Sequence, residues 1–369
     1  MPWTAFLTHH NPFSPNVKTT ATVSTAPSSH YASAVPNLNH GSSHLSSMPF
    51  APSHSSYTST SHSLTMEKFD IHIIGCGAAL PTPRHLCSTQ IVNIREKLFM
   101  LDCTEGTQLA LRKQRLNFSN LQAILLTHLH GDHVFGLLGM LSTLGLLGRL
   151  QELHVYGPSP LRSLFQPQID HFCAESPFPI ILHEIDSNKP QAIYEDRSLT
   201  ITTLPLTHRI PCCGYLLSEK PTLPHIRRDA IDYYHIPLSQ INNIKAGIDW
   251  TTEDGTIIPN HLLTTPAAPP RSYAYCTDTR YRPQLVPLIQ NVTCLYHEAT
   301  FLSDHLSLAK RTHHSTAIQA ATIARDANAS RLILGHFSSR YKDEGLLLQE
   351  ARQLFTNTIL AEEGLRISL

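Results

Sequence analysis

From Met66 onward, short apolar runs alternate with amphipathic ones, and before Met66 no such pattern exists. Phe69 to Ile74 alternates as a half-buried strand does, and Gly75-Cys76-Gly77 ends it in a glycine turn. Gln90 to Ile94 and Lys97 to Leu101 predict a hairpin pair closing on Asp102. Thr107 to Leu116 has helical period, Ala123 to Leu126 the length and branching of a buried strand, and Val134 to Leu147 reads as a glycine-spaced helix. Leu153 to Tyr156, Ile180 to Glu184 and Leu199 to Leu204 are further strands. The pattern lapses over residues 219–271, which hold several prolines, Arg227-Arg228 and Tyr233-Tyr234. Segments of that length are usually functional or mobile, so this one reads as an arm inserted into a domain. Regular structure resumes with strands at Tyr273 to Cys276 and Thr293 to Tyr296 and a helix from Thr316 to Ala327. A strand at Arg331 to Leu334, a helix from Glu344 to Phe355 and a strand near Arg366 to Ser368 complete an α/β order.

Composition changes this picture mainly at the start of the chain. Residues 1–65 are rich in Ser, Thr, Pro and His, hold Lys18 as their only Lys or Arg, and contain no Asp or Glu. Such a segment cannot bury enough apolar surface to offset its ordering entropy. It is expected to be a disordered extension, or to precede a true start at Met66, and it resembles neither a secretory signal nor a transit peptide. Across the 369 residues, 28 Lys plus Arg balance 28 Asp plus Glu, so a polyanionic partner would need a local patch. One candidate is Arg112, Lys113 and Arg115 on the predicted helix, which serve either as a solvated face or as phosphate contacts. No apolar run is long enough to span a bilayer. The eight cysteines include no C-x-x-C pair, which suits buried thiols in a reducing, cytoplasmic setting.

The chemistry concentrates in His128-Leu129-His130-Gly131-Asp132-His133, directly after a predicted buried strand. In extended backbone His128 and His130 point to the same side, and Gly131 lets the chain turn so that Asp132 and His133 face the same spot. Imidazole nitrogen and carboxylate oxygen together suit zinc or another borderline divalent ion. Three more polar residues follow predicted strands: His208, Asp278 and His336. Each alone is a weak signal, but with the first motif they complete two ligand sets. His297-Glu298-Ala299-Thr300 follows another strand, and Thr312-His313-His314-Ser315-Thr316 precedes a helix that Ser315 or Thr316 could cap. Glu298 and His314 form a plausible proton-donating pair.

The H-x-H-x-D-H motif, with later strand-end His, Asp and His, resembles the metallo-β-lactamase superfamily. Within it, Thr277-Asp278-Thr279-Arg280, His297 to Thr300, His314-Ser315-Thr316 and Leu334 to Tyr341 make the chain similar to the ribonuclease Z family, in its short, dimeric form. The resemblance covers Met66 to about Tyr341 and implies an αββα sandwich with two zinc ions at one edge. His128, His130 and His208 would hold one ion and Asp132, His133 and His336 the other, with Asp278 between them. Manganese or cobalt could fill the same ligands. It further implies a homodimer that trims the 3′ trailer from precursor tRNA after the discriminator base, leaving a 3′-hydroxyl. Asp132 would also accept a proton, and His314 with Glu298 would protonate the departing oxygen.

The chain departs from the family pattern in two places. The loop Pro81 to Ser88 lacks the usual Lys and Arg-Asn pair, leaving Arg84 or His85 as substitutes. The arm, at Ile236 to Gly247, keeps an Ile-Lys-x-Gly end but lacks a Gly-Pro tip. The alternative is a hydrolase of the same fold acting on a small phosphodiester, thioester or sulfate ester. Such a substrate needs neither the arm nor the His314 loop. A non-catalytic RNA-binding relative would have lost a ligand, and none is missing.

Overall fold

The computed structural model describes residues 67–369, so the expectation of a disordered extension over residues 1–65 lies outside the described residues. The first half of the described chain builds one sheet. Strands β1 (Phe69–Gly75), β2 (Thr89–Ile94) and β3 (Lys97–Leu101) run antiparallel. Strands β4 (Leu121–Leu125), β5 (Leu153–Pro158) and β6 (Ile180–Ile185) extend it in parallel. Arg95 and Glu96 turn the β2–β3 hairpin with φ of 52° and 66°, the positive values a two-residue type I′ turn requires. The crossovers carry α1 (Thr107–Lys113), α2 (Gly131–Val134), α3 (Leu137–Leu146) and α4 (Leu161–Phe172).

The second half mirrors this plan. Strands β7 (Ala192–Glu195), β8 (Leu199–Pro205) and β9 (Cys213–Glu219) run antiparallel. A small lobe follows, with short strands β10 (His225–Ile226), β11 (Trp250–Thr251), β12 (Ile257–Ile258) and β13 (Thr264–Thr265). Its helices are α5 (Arg228–Tyr233), α6 (Ile241–Lys245) and α7 (Asn260–Leu263). Strands β14 (Ser272–Cys276), β15 (Cys294–Glu298), β16 (Leu332–Gly335) and β17 (Thr358–Leu360) then run parallel. They are linked by α8 (Leu306–Thr312), α9 (Ala317–Asp326) and α10 (Gly345–Arg352). Strand β18 (Arg366–Ser368) returns to pair with β1. The two sheets have the orders β18-β1-β2-β3-β4-β5-β6 and β17-β16-β15-β14-β9-β8-β7.

The apolar run of β3 is continuous because both its faces are covered. Phe99 and Leu101 enter the core between the sheets, while Leu98 and Met100 pack with α1, α3 and α4 on the other side. Helices α9 and α10 cover the outer face of the second sheet through Ala320, Ala324, Leu347 and Ala351. The four-layer αββα order implied by the resemblance is therefore the order found. The lobe has its own small core of Ala230, Ile236, Ile244, Ile258 and Leu263, so residues 219–271 are not a bare loop. Its two ends meet where Arg271 Nη2 lies 2.6 Å from Glu219 Oε1, both side chains largely buried.

The helix expected over Val134 to Leu147 is two helices, broken at Phe135-Gly136. The cause is a close approach of backbones. Gly136 N–H donates to Cys103 O at 2.9 Å, and a Cβ on Gly136 would stand 1.9 Å from Thr104 O. The break lets α2 aim Asp132 and His133 independently of α3. Helix α1 begins near Asp102 and runs away from the edge where the metal-capable residues gather. Arg112 and Lys113 close its last turn, and Arg115 lines a cleft with Lys68 and Arg366 beside the start of β1. Arg112, Lys113 and Arg115 are all exposed.

Candidate metal centre

Strands β3, β4, β14, β15 and β16 deliver their carboxyl ends to one edge, where open parallel sheets place their sites. Asp102 follows β3, His128 and His130 follow β4, Asp278 follows β14, Glu298 ends β15 and His336 follows β16. His208 arrives from the end of β8, and Asp132 with His133 from α2. Asp102, Asp278, His313 and His336 take φ of 58°, 33°, 62° and 58°. Positive φ at four non-glycine residues around one point is strain of the kind found at functional sites.

The donors converge in two groups. His130 Nδ1 lies 2.9 Å from His128 Nε2 and 3.3 Å from His208 Nε2. Asp132 Oδ2 lies 3.4 Å from His133 Nε2. Asp278 stands between the groups. Its Oδ1 is 3.9 Å from His128 Nε2 and 4.0 Å from His208 Nε2, while Oδ2 is 3.2 Å from His133 Nε2 and 3.1 Å from His336 Nε2. Thus every ligand candidate named from the sequence is brought to one place.

A second layer of bonds fixes which imidazole nitrogen is free, as such partners do around metals. With protons assigned from the network, His133 Nδ1–H donates to Asp102 Oδ2 at 2.9 Å. His208 Nδ1–H donates to His313 O at 3.2 Å. His336 Nδ1–H donates to Thr300 Oγ1 at 2.9 Å, and that hydroxyl donates to Glu298 Oε2 at 2.6 Å. His128 Nδ1–H donates to Thr127 Oγ1 at 3.1 Å, and that hydroxyl donates to Asp102 Oδ1 at 2.9 Å. Each Nε2 is thereby left with its lone pair turned inward. His133 Nε2 and His336 Nε2 are buried without a hydrogen-bond partner. Inward lone pairs a few ångströms apart repel unless a cation lies among them, so these residues fit divalent metal.

Charge states divide the imidazoles. Burial lowers the His128 imidazole well below its ordinary value and the His208 imidazole to about 4, keeping both neutral. Burial opposes protonation of His133, but the carboxylates of Asp278 and Asp102 raise it well above the usual value, so a cation entering there takes the place of its proton. Asp278 would be raised by burial, yet the imidazoles of His336, His133 and His128 hold it well below the carboxylate range.

Beside the donors sits the Glu298–His314 pair. Glu298 is wholly buried; its Oε1 accepts from Thr279 N–H at 2.6 Å and from His314 Nδ1–H at 2.9 Å. Burial would lower His314, but the Glu298 carboxylate raises it to about 9. Thr316 caps α9 in a capping box with Gln319, while Ser315 N–H donates to Glu298 Oε2 at 3.0 Å. The helix cap and the acid pair are therefore one construction.

Two expectations are corrected in the neighbouring loop. Arg84 is bound by Glu344 Oε1 at 2.7 Å and by the Tyr341 and Lys342 carbonyls, and His85 turns toward Cys76. Neither is aimed at the donor edge. Sequence reasoning also assigned no role to Asp102, Thr127 or Thr300. Asp102 ends a strand just as Asp278 does, and that position was the available signal.

Comparison with known proteins agrees with this geometry. Residues 69–166 match the family model described as "Anti-Pycsar protein Apyc1". The metallo-beta-lactamase fold protein YhfI from Bacillus subtilis superposes with a TM-score of 0.58 at 19% identity, covering 82% of this chain and 100% of that one. The short form of human tRNase Z superposes with a TM-score of 0.59 at 25% identity, covering 81% and 98%. Fold and donor edge together define a hydrolase of the metallo-β-lactamase class. The Ribonuclease Z of Bacteroides fragilis is 53% identical over 304 residues, 82% of this chain and 100% of the relative. The chain belongs to the ribonuclease Z family.

Proposed function

We propose that the chain removes the 3′ trailer from precursor tRNA, hydrolysing the phosphodiester after the discriminator base and leaving a 3′-hydroxyl. As a family member it is an endoribonuclease, a phosphodiester hydrolase of tRNA processing. The observation that carries the reading is Asp278, whose two oxygens face separate imidazole groups. His128, His130 and His208 would hold one zinc ion, and Asp132, His133 and His336 a second, with Asp278 shared. Bound there, such ions polarise a phosphodiester and ease the loss of a proton from water. Asp132 is only partly buried and accepts from Ala79 N–H at 3.1 Å; in this reading it accepts a proton as well as ligating. His314 keeps its proton at neutral pH; with Nδ1 held by Glu298, its Nε2–H serves the departing ribose 3′ oxygen.

The lobe is the tRNA-docking arm in this reading. Where a Gly-Pro tip is lacking, Ile241–Lys245 is helical. Arg228 and Tyr233 are strongly exposed on the lobe and suit phosphate and base contacts. A homodimer and a cytoplasmic location belong to the same proposal. All eight cysteines are free, and no helix among the described residues is long and apolar enough to cross a membrane.

The test is cleavage of an unprocessed tRNA by the purified chain with zinc, sizing the product and counting metal. Asp278→Ala should lose both bound metal and cleavage. His314→Ala should keep metal and slow cleavage by roughly 10²–10⁴-fold. Cleavage of small phosphodiesters, thioesters or sulfate esters alone overturns the substrate; full activity in either variant overturns the role given to that residue.

A further inference from the structure

A second set of metal-capable atoms lies behind the turn that follows β1, apart from the donor edge. Cys76 Sγ is 3.4 Å from His85 Nδ1, and Glu363 Oε1 is 3.6 Å from the same nitrogen. All three candidate ligand atoms fall within 4.8 Å of one another. Three separate pieces of chain are folded to bring them there. Cys76 N–H donates to Leu86 O at 3.1 Å, closing the loop on itself. Thr82 N–H donates to His85 O at 2.8 Å, which turns the imidazole inward. Glu363 comes from the turn before β18 and is fixed by Leu86 N–H, which donates to its Oε1 at 2.6 Å. The remaining His85 nitrogen, Nε2, is buried with no hydrogen-bond partner and faces Glu344 Oε1 at 3.4 Å.

We propose that Cys76 Sγ, His85 Nδ1 and a Glu363 carboxylate oxygen form an additional divalent-cation site of the zinc type. A sulfur, an imidazole nitrogen and a carboxylate oxygen are the donors zinc and cobalt take, with a fourth position left for water. Glu344 behind the imidazole supplies the carboxylate that commonly backs a ligating histidine. On binding, the Cys76 thiol gives its proton to solvent and the sulfur bonds the cation; nothing is oxidised or reduced. The site clips the turn before the last strand to the loop that follows β1. That loop carries Ala79, whose amide bonds Asp132, and Cys76 O accepts from Phe337 N–H at 2.9 Å, beside His336. The clip is thus a structural support behind the donor edge.

Cobalt separates this site from the other, because the donors assigned to the two ions at the edge are imidazole and carboxylate groups only. The full chain, stripped with chelator and refilled with Co²⁺, should show a near-ultraviolet thiolate-to-cobalt charge-transfer band. Cys76→Ser should lose that band and about one cobalt per chain, with the visible bands of the imidazole-bound cobalt retained. Glu363→Gln, at an exposed turn, should keep the fold and weaken the band's midpoint by about tenfold. Absence of the band in the wild-type chain at saturating Co²⁺ overturns the proposal without any variant. A band that persists in Cys76→Ser overturns it too, by placing the thiolate at another cysteine such as Cys87.

Discussion

Asp102→Asn isolates the second layer of the candidate centre from the ligands themselves. The Asp102 side chain is wholly buried, its Oδ2 2.9 Å from His133 Nδ1 and its Oδ1 accepting from Thr127 N–H at 2.7 Å. Asparagine has the same shape and tolerates the positive φ of 58°, so backbone and packing change little. The hydrogen-bonding pattern does change. If the amide oxygen keeps Thr127 N–H, the NH₂ group meets His133 Nδ1, and the imidazole must move its proton to Nε2. That nitrogen faces Asp278 Oδ2 at 3.2 Å and is the one needed for a cation. Loss of such a support costs roughly 10–100-fold in metal affinity, equivalent to about 1.4–2.8 kcal/mol. The loss should fall on the ion assigned to Asp132, His133 and His336, and far less on that of His128, His130 and His208. Calorimetric titration of Zn²⁺ into the chelator-stripped chain resolves the two affinities, and cleavage measured against zinc concentration reports the consequence. Affinities within twofold of wild type, or equal weakening at both positions, would refute the tautomer argument.

Three further outcomes test the frame around the centre. Gly136→Ala places a Cβ against Thr104 O and should destabilise the fold by about 1–3 kcal/mol or more, read as a lower thermal midpoint; an unchanged midpoint refutes the close approach. Glu219→Ala leaves Arg271 buried and unpaired at the root of the lobe and should cost about 3–5 kcal/mol by denaturant titration. Asp196 would be raised by burial, but Lys97 and the Ser198 amide hold it well below the carboxylate range. Its contribution is therefore present above the unfolded value of about 3.9 and lost as pH falls toward the folded one. The thermal advantage of wild type over Asp196→Asn should be full at pH 6 and shrink below pH 4. An advantage that does not depend on pH removes the charge from the explanation.

How far the sequence could be read depended on whether the deciding contact was local. Period-two apolar runs mark strands, and a polar residue after such a run falls at a sheet edge, which is why His208, Asp278 and His336 could be picked out singly. Their gathering into one centre rests on the parallel pairing of β14, β15 and β16 for Asp278 and His336, and on the antiparallel β8–β9–β14 ladder for His208, which no window of sequence contains. Helix α4 was missed because Pro167 interrupts its period, although Leu161, Phe165 and Ile169 still bury one face. The break at Gly136 was hidden for a different reason, since the atom that forbids a side chain there belongs to Thr104 on another segment. The same holds at Cys76. Its sulfur looked like one more scattered buried thiol, and only the antiparallel return of β18 beside β1 carries Glu363 to it. Donor type is thus a property of local sequence, while sharing of one ion is a property of strand pairing. A change that shifts the β1–β18 register should therefore disturb the Cys76 cluster while leaving the two histidine groups intact.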